Sequence, residues 1–185
     1  MFLRDPSAYH GGKNKRPFFE GWYHKLVTGD GQSLAIIPGI YRSGFNNNQT
    51  AFIMIFDGDK GDVFYERFEV QQFSCSTSSY SLHIGSNYFS SEKIILDIES
   101  ETLTIKGQVT ADNLKPWPVT LFEPGCMGWY AYVPTMECFH GILSMDHTLD
   151  GEIEFNGSNY DFVGGRGYIE KDWGHNFPEN WIWAQ

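Results

Sequence analysis

Positive charge is scarce in this sequence. Lysine and arginine together number 13 against 23 aspartates and glutamates, a formal net charge of -10 over 185 residues. The basic residues gather nowhere beyond Lys13, Lys15 and Arg16. Proteins that bind nucleic acid carry a basic patch or stripe, so this balance argues against DNA or RNA as a partner. Cysteine is scarce as well: Cys75, Cys126 and Cys138 are an odd set without framework spacing, which favours free thiols in a reducing compartment. No run approaches the length of a membrane span, and the opening MFLRDPSAYHGG has no apolar core of a signal peptide. A cytoplasmic protein is expected, so Asn48-Gln49-Thr50 and Asn156-Gly157-Ser158 read as turns, not glycosylation sites. Helical periodicity of useful length is also missing.

What remains is a sheet protein. Short apolar or alternating runs recur between Gly, Asn, Asp and Ser punctuation. Strands are expected over residues 20–28, 33–37, 51–56, 63–70, 94–99, 102–109, 138–145, 152–155, 159–163 and 167–173. Thr28-Gly29-Asp30-Gly31 and Phe56-Asp57-Gly58-Asp59 read as hairpin connections. Ten short strands in one domain imply an all-β fold, an antiparallel barrel or a sandwich, and an up-and-down barrel with an apolar mouth fits best. Residues 111–128, interrupted by Pro116, Pro118 and Pro124 and weighted by Trp117 and Phe122, read as a lid or a crossover.

Aromatic residues make up 17% of the chain, a surplus that suggests the lining of a site for a hydrophobic small molecule. They gather around acids in the tail GGRGYIEKDWGHNFPENWIWAQ, residues 164–185. Read as a strand, residues 167–174 put Tyr168, Glu170 and Asp172 on one face and Ile169, Lys171 and Trp173 on the other. Burial raises a carboxyl pKa, and a second carboxyl two residues away raises one of the pair further. Such a pair in an aromatic setting suggests proton donation to an apolar substrate. The competing reading is a solvated strand turn with Glu170 paired to Arg166. His140, alternating with Cys138, Ile142, Ser144 and Asp146, is a base, a ligand or a hydrogen-bonded core histidine. Glu20, on the face of Phe18 and Trp22, is a second buried acid or a structural partner of Arg16 or Arg166.

A resemblance rests on Phe18-Phe19-Glu20-Gly21-Trp22-Tyr23, Pro124-Gly125-Cys126-Met127-Gly128-Trp129-Tyr130, Met136-Glu137-Cys138-Phe139-His140-Gly141, Asp146-His147 and the tail. Together, and in this order, these blocks resemble the tocopherol cyclase family. The resemblance implies a lipocalin-like β-barrel and closure of a chromanol ring from a prenylated hydroquinone, an intramolecular isomerase or lyase chemistry. It divides the chain into an N-terminal extension, residues 1–17, and a barrel domain over 18–185, cut short at its C-terminus and so one half of a two-barrel protein. A weaker similarity is to carotenoid hydratases, whose Gly-Tyr-x-Asp-x-Asn-x-Gly pattern has its equivalent in Gly167-Tyr168-Ile169-Glu170-Lys171-Asp172-Trp173-Gly174.

Both relatives protonate an alkene and capture the tertiary cation with oxygen. An acid held protonated by burial falls to Glu170 or Asp172, with Tyr168 beside them and His140 or the partner carboxylate as the base that accepts the phenol proton. Aromatic faces stabilise a desolvated cation by roughly 0.5–2 kcal/mol each. Trp22, Tyr23, Trp129, Trp173, Trp181 and Trp183, with Glu20, are the expected substrate contacts. The chemistry requires no cofactor. No metal site is expected: Cys126, Cys138, His140 and His147 lack paired ligand spacing. Asp57-Gly58-Asp59-Lys60-Gly61-Asp62 lacks the later ligands of a calcium loop. A hydrophobic substrate leaves room for peripheral access to a membrane, and the oligomeric state stays open. The alternatives are a non-catalytic carrier of a lipophilic ligand in the barrel cavity and an alkene hydratase.

Overall fold

The computed structural model describes residues 5–12, 17–45, 48–133, 135–177 and 179. Twelve antiparallel strands form one sheet: β1 Phe18–Val27, β2 Ser33–Arg42, β3 Gln49–Asp57, β4 Val63–Phe68, β5 Phe73–Cys75, β6 Ser81–Ile84, β7 Asn87–Ser90, β8 Lys93–Glu99, β9 Thr104–Asp112, β10 Cys138–Phe155, β11 Ser158–Asp161 and β12 Arg166–Gly174. The sheet runs β4-β3-β2-β1-β12-β10-β9-β8-β7-β6-β5, with β11 paired to β10. Strand β12 therefore sits at the seam between two meanders, held by β1 on one side and β10 on the other.

The alternation in β1 shows why these residues make a sheet. Phe18, Glu20, Trp22, His24 and Leu26 are buried on one face, while the residues between them are half-buried. One core collects Trp22, Ile36, Ile53, Leu82, Phe89, Ile105, Ile153 and Phe162 from almost every strand, which requires the sheet to curl around it. The expected all-β, lipocalin-like architecture is present, but the expected closure is not. Edge strands β4 and β5 are linked by the chain through a 3-10 turn, Val70–Gln72, and no ladder joins them among the described residues. Strand β4 instead makes side-chain contacts with the far side of the sheet: Ser100 Oγ, just past β8, donates to Glu66 Oε1 at 2.7 Å, and Phe64 meets Phe155 of β10 edge to face.

The expected apolar mouth is not seen among the described residues. The void lined by His24, Leu26, Val109, His147 and Ile169 has a volume of about 10 Å³, barely room for one water. The end near Trp173 is plugged by residues 5–12. Tyr9 packs on Phe18 and Phe73, and His10 stacks on Trp173 with ring centroids 4.2 Å apart.

Two further expectations change. Strands β5, β6 and β7 occupy a stretch that carried no predicted strand, and residues 138–155 form one strand where two were expected. That strand stays continuous by bending: its register against β12 shifts between Ile142 and Ser144 and again between Ser144 and His147. The Asp57 loop is a hairpin turn, with Asp57 Oδ1 accepting from the backbone N–H groups of Asp59 and Lys60. Residues 113–137 leave β9 and return to the adjacent β10, so they form a cover and not a crossover.

Candidate active site

Strand β12 is buried on both faces from Gly167 to Gly174, apart from half-buried Asp172. Each face holds a separate cluster of charged groups.

The outer face carries Tyr168, Glu170 and Asp172, as alternation predicts. Register sets Tyr23 of β1 and Ile142 of β10 on either side of Glu170, and Gly21 and His140 on either side of Asp172. Tyr168 Oη donates to Glu170 Oε2 at 2.5 Å. His140 lies between the two acids, with Nδ1 2.9 Å from Asp172 Oδ1 and Nε2 3.6 Å from Glu170 Oε2. Tyr23 meets the Tyr168 ring edge-on at 6.5 Å. The cover closes over this row through sulfur: Met127 Sδ accepts the His140 backbone N–H at 3.0 Å, and Cys126 Sγ lies 3.6 Å from the His140 carbonyl. Cys138 Sγ flanks Asp172 at 3.9 Å.

Burial grades this row. Glu170 is 5% exposed, whereas the side chains of His140 and Asp172 are each 31% exposed. The inner carboxyl is thus connected to solvent through an imidazole and an outer carboxylate. Burial lowers the His140 pKa, but the Asp172 hydrogen bond and the charges of Asp172 and Glu170 outweigh it, and the net shift is upward. Burial, reinforced by the Glu170 hydrogen bond, pushes the Tyr168 hydroxyl well up, so it stays a donor. Thiols Cys126 and Cys138 are raised, first by burial, Cys138 to about 12, which favours the protonated thiol in each.

Ligand atoms of His140, Glu170 and Asp172 lie within 4.8 Å of one another, a set that a metal ion could use. The ring, however, addresses each carboxylate with a different nitrogen. One atom from each residue already lies within that distance of the other two, so the same set could take an ion or share a proton.

The inner face carries Ile169, Lys171 and Trp173. Lys171 is fully buried, with Nζ 2.5 Å from Glu20 Oε1 and also donating to the Ala8 carbonyl. It lies 5.0 Å from the Trp22 and Trp173 ring centroids. The His10 N–H donates to Glu20 Oε2 at 3.0 Å. This settles several sequence readings. Glu20 is a buried acid paired with Lys171 and not with Arg166; Arg16 lies outside the described residues. Trp22 and Trp173 line this inner cluster, on the opposite side of the sheet from Glu170, and Trp22 stacks on Tyr80. The solvated-turn reading of Glu170 fails, because Arg166 pairs with Asp146, which also takes Lys115.

Of the expected site residues, the fold brings together Tyr168, Glu170, Asp172, His140 and Tyr23. Trp129 lies on the cover, 66% exposed and stacked on Tyr130; it does not face the acids' row. Trp181 and Trp183 lie outside the described residues. Sequence reasoning missed Lys171 as a buried cation, although a lysine flanked at i±2 by Ile169 and Trp173 is the signal for one. It also missed Met127 and Cys126, for which spacing gives no signal. The alternation that put Ser144 and Asp146 with His140 breaks at the bulge after Ile142, and Ser144 instead bonds His147 Nδ1 at 3.1 Å. Gly167 makes room for that histidine: a Cβ there would stand 2.2 Å from His147 Nε2.

Comparison with known proteins places the chain by similarity. Residues 94–185, which hold the cover, β10 and β12, match the family model described as tocopherol cyclase-like. Over these residues the chain is similar to the tocopherol cyclase-like family. It is 24% identical to the chloroplastic tocopherol cyclase of Zea mays and 22% identical to the probable chloroplastic tocopherol cyclase of Oryza sativa subsp. japonica; each alignment takes in 99% of this chain. The chain spans about half (49%) of the length of each of these relatives. Among solved structures, an AttH-like protein of Nitrosomonas europaea superposes with a TM-score of 0.55 at 16% identity, over 97% of this chain and 57% of that one. That likeness concerns the fold.

Proposed function

We propose that this chain carries an acid-initiated cyclisation of a prenylated hydroquinone, or a similar alkene-bearing phenol, at the outer-face row of Tyr168, Glu170, His140 and Asp172. The observation that carries the reading is the graded row itself. A buried carboxyl accepts a tyrosine hydroxyl on one side and has His140, itself bonded to Asp172, on the other. The tocopherol cyclase-like match supports the reaction class.

An alkene is a weak base, so the donor must be desolvated and aimed. In this scheme the proton leaves the Glu170 carboxyl for the less substituted alkene carbon. The alkene's electron pair forms the new C–H bond, and a tertiary cation results. The phenol oxygen of the same molecule closes on that cation, and its proton passes to the row, which returns to its starting charge. Holding both groups in one molecule makes the capture intramolecular. Tyr23 and Tyr168, beside Glu170, are the rings whose faces would stabilise the cation. No redox partner is needed, since substrate and product are isomers.

The carrier alternative places a lipophilic ligand in the barrel cavity and expects binding without product. The test is mass spectrometry of the protein incubated with a panel of prenylated hydroquinones. The reading expects a product isomeric with its substrate and lacking one tail double bond. A gain of one water would replace cyclisation by hydration, and a ligand retained unchanged would remove catalysis altogether.

A further inference from the structure

The cover over the acids' row presents its apolar side chains outward. Leu121 is 62% exposed, Phe122 91% and Trp129 66%, and Trp117, Tyr130 and Tyr132 are exposed beside them. Exposed apolar surface gathered this closely marks an interaction site. From Trp117 to Tyr132 the sequence WPVTLFEPGCMGWYAY contains one charged residue, Glu123, in a chain of net charge -10.

We infer that this side of the cover docks onto a neutral, zwitterionic lipid surface, from which an alkene-bearing substrate passes to the row beneath. This rests on the proposed function for the substrate, but the docking stands on its own observations. Four of the six side chains are tryptophan or tyrosine, whose apolar bodies and polar tips suit the boundary between headgroups and acyl chains. Leu121 and Phe122 at the tip supply the purely apolar insertion. The segment offers no cation to anionic headgroups, and the acidic chain as a whole is repelled by them. Neutral lipid is what remains. Placement completes the argument: Cys126 and Met127, between the tip and Trp129, are the residues that touch the His140 backbone. Insertion would therefore bring the membrane to the mouth of the site.

The experiment is co-sedimentation of the protein with phosphatidylcholine vesicles, with and without phosphatidylserine, at low and high salt. It compares the native chain with the double variant Leu121→Ser, Phe122→Ser. The expected results are binding to phosphatidylcholine that salt does not weaken and phosphatidylserine does not strengthen, and a partition coefficient roughly tenfold or more lower in the variant. Circular dichroism should show the variant folded as the native chain is. A prenylated hydroquinone should then be turned over from vesicles by the native chain alone, and from detergent micelles by both. Lack of binding to phosphatidylcholine, or equal binding by the variant, overturns the inference. So does light scattering that shows a dimer which the variant abolishes, since the surface would then belong to a second copy. If vesicle binding behaves as expected but no product forms in either assay, the docking holds and the proposed reaction falls.

Discussion

Glu170 and Lys171 are neighbours in the chain and stand on opposite sides of the sheet. Glu170 accepts the Tyr168 hydroxyl on the outer face, and Lys171 reaches Glu20 on the inner one. One strand thus serves two chemistries, a graded acid row under the cover and a sealed ion pair in the core.

The sealed pair has a stability consequence. Burying two charges is unfavourable unless they meet, and removing one partner leaves the other uncompensated, at a cost of about 3–5 kcal/mol. Glu20→Leu or Lys171→Met should each destabilise the fold by that order, measured by urea unfolding. The double variant should recover much of the loss, because an apolar pair leaves no stranded charge. Losses that simply add would show that the two residues act independently.

Acid should unfold the protein through its interior histidines. His24 is fully buried against Tyr80, with Nε2 2.6 Å from Oη, and burial with the nearby His147 pushes its pKa down to about 3. Burial likewise lowers His147 to about 4. Unfolded histidines titrate near 6.5, so between that pH and these values the unfolded state binds protons that the folded state refuses. Stability is full above about pH 6.5 and falls with acid at ~1.4 kcal/mol per pH unit for each histidine. Unfolding free energies at pH 7 and pH 4.5 check this; His147→Gln should shallow the slope. An equal slope in that variant would remove His147 from the account.

Turnover should depend on pH in the opposite sense. His140 is raised above 6.5 by Asp172 and Glu170 acting against burial. Its charged form is therefore held into more alkaline solution than an exposed histidine's. If His140 recharges Glu170, kcat/KM is highest at low pH, down to the limit set by acid unfolding, and falls as pH rises through the elevated histidine value. Asp172→Asn removes the largest raising influence and should move that fall to lower pH. A profile unmoved by Asp172→Asn would take His140 out of the relay.

The sequence was most legible where periodicity is strict. Alternation in β1 and β12 located both strands and put Tyr168, Glu170 and Asp172 on one face. It failed where packing overrides pattern. Strands β5, β6 and β7 have three or four residues each, too short to show a period. The β10 bulge moved Ser144 off the His140 face. Aromatic residue type could not say which side of the sheet a ring occupies, so Trp22 and Trp173 were assigned to the substrate when they cage Lys171. Closure of a barrel depends on pairing between strands at the two edges, and local pattern carries no information on it.

The most direct measurement is product analysis of a prenylated hydroquinone incubated in D₂O with the native chain and with Glu170→Gln, which keeps the shape of the side chain and removes its acid. Native protein should yield the cyclised isomer with one deuterium fixed on carbon where the alkene was protonated. Glu170→Gln should abolish turnover while leaving ligand binding nearly intact. Equal turnover by Glu170→Gln, or a cyclised product without deuterium on carbon, would contradict proton delivery from this row.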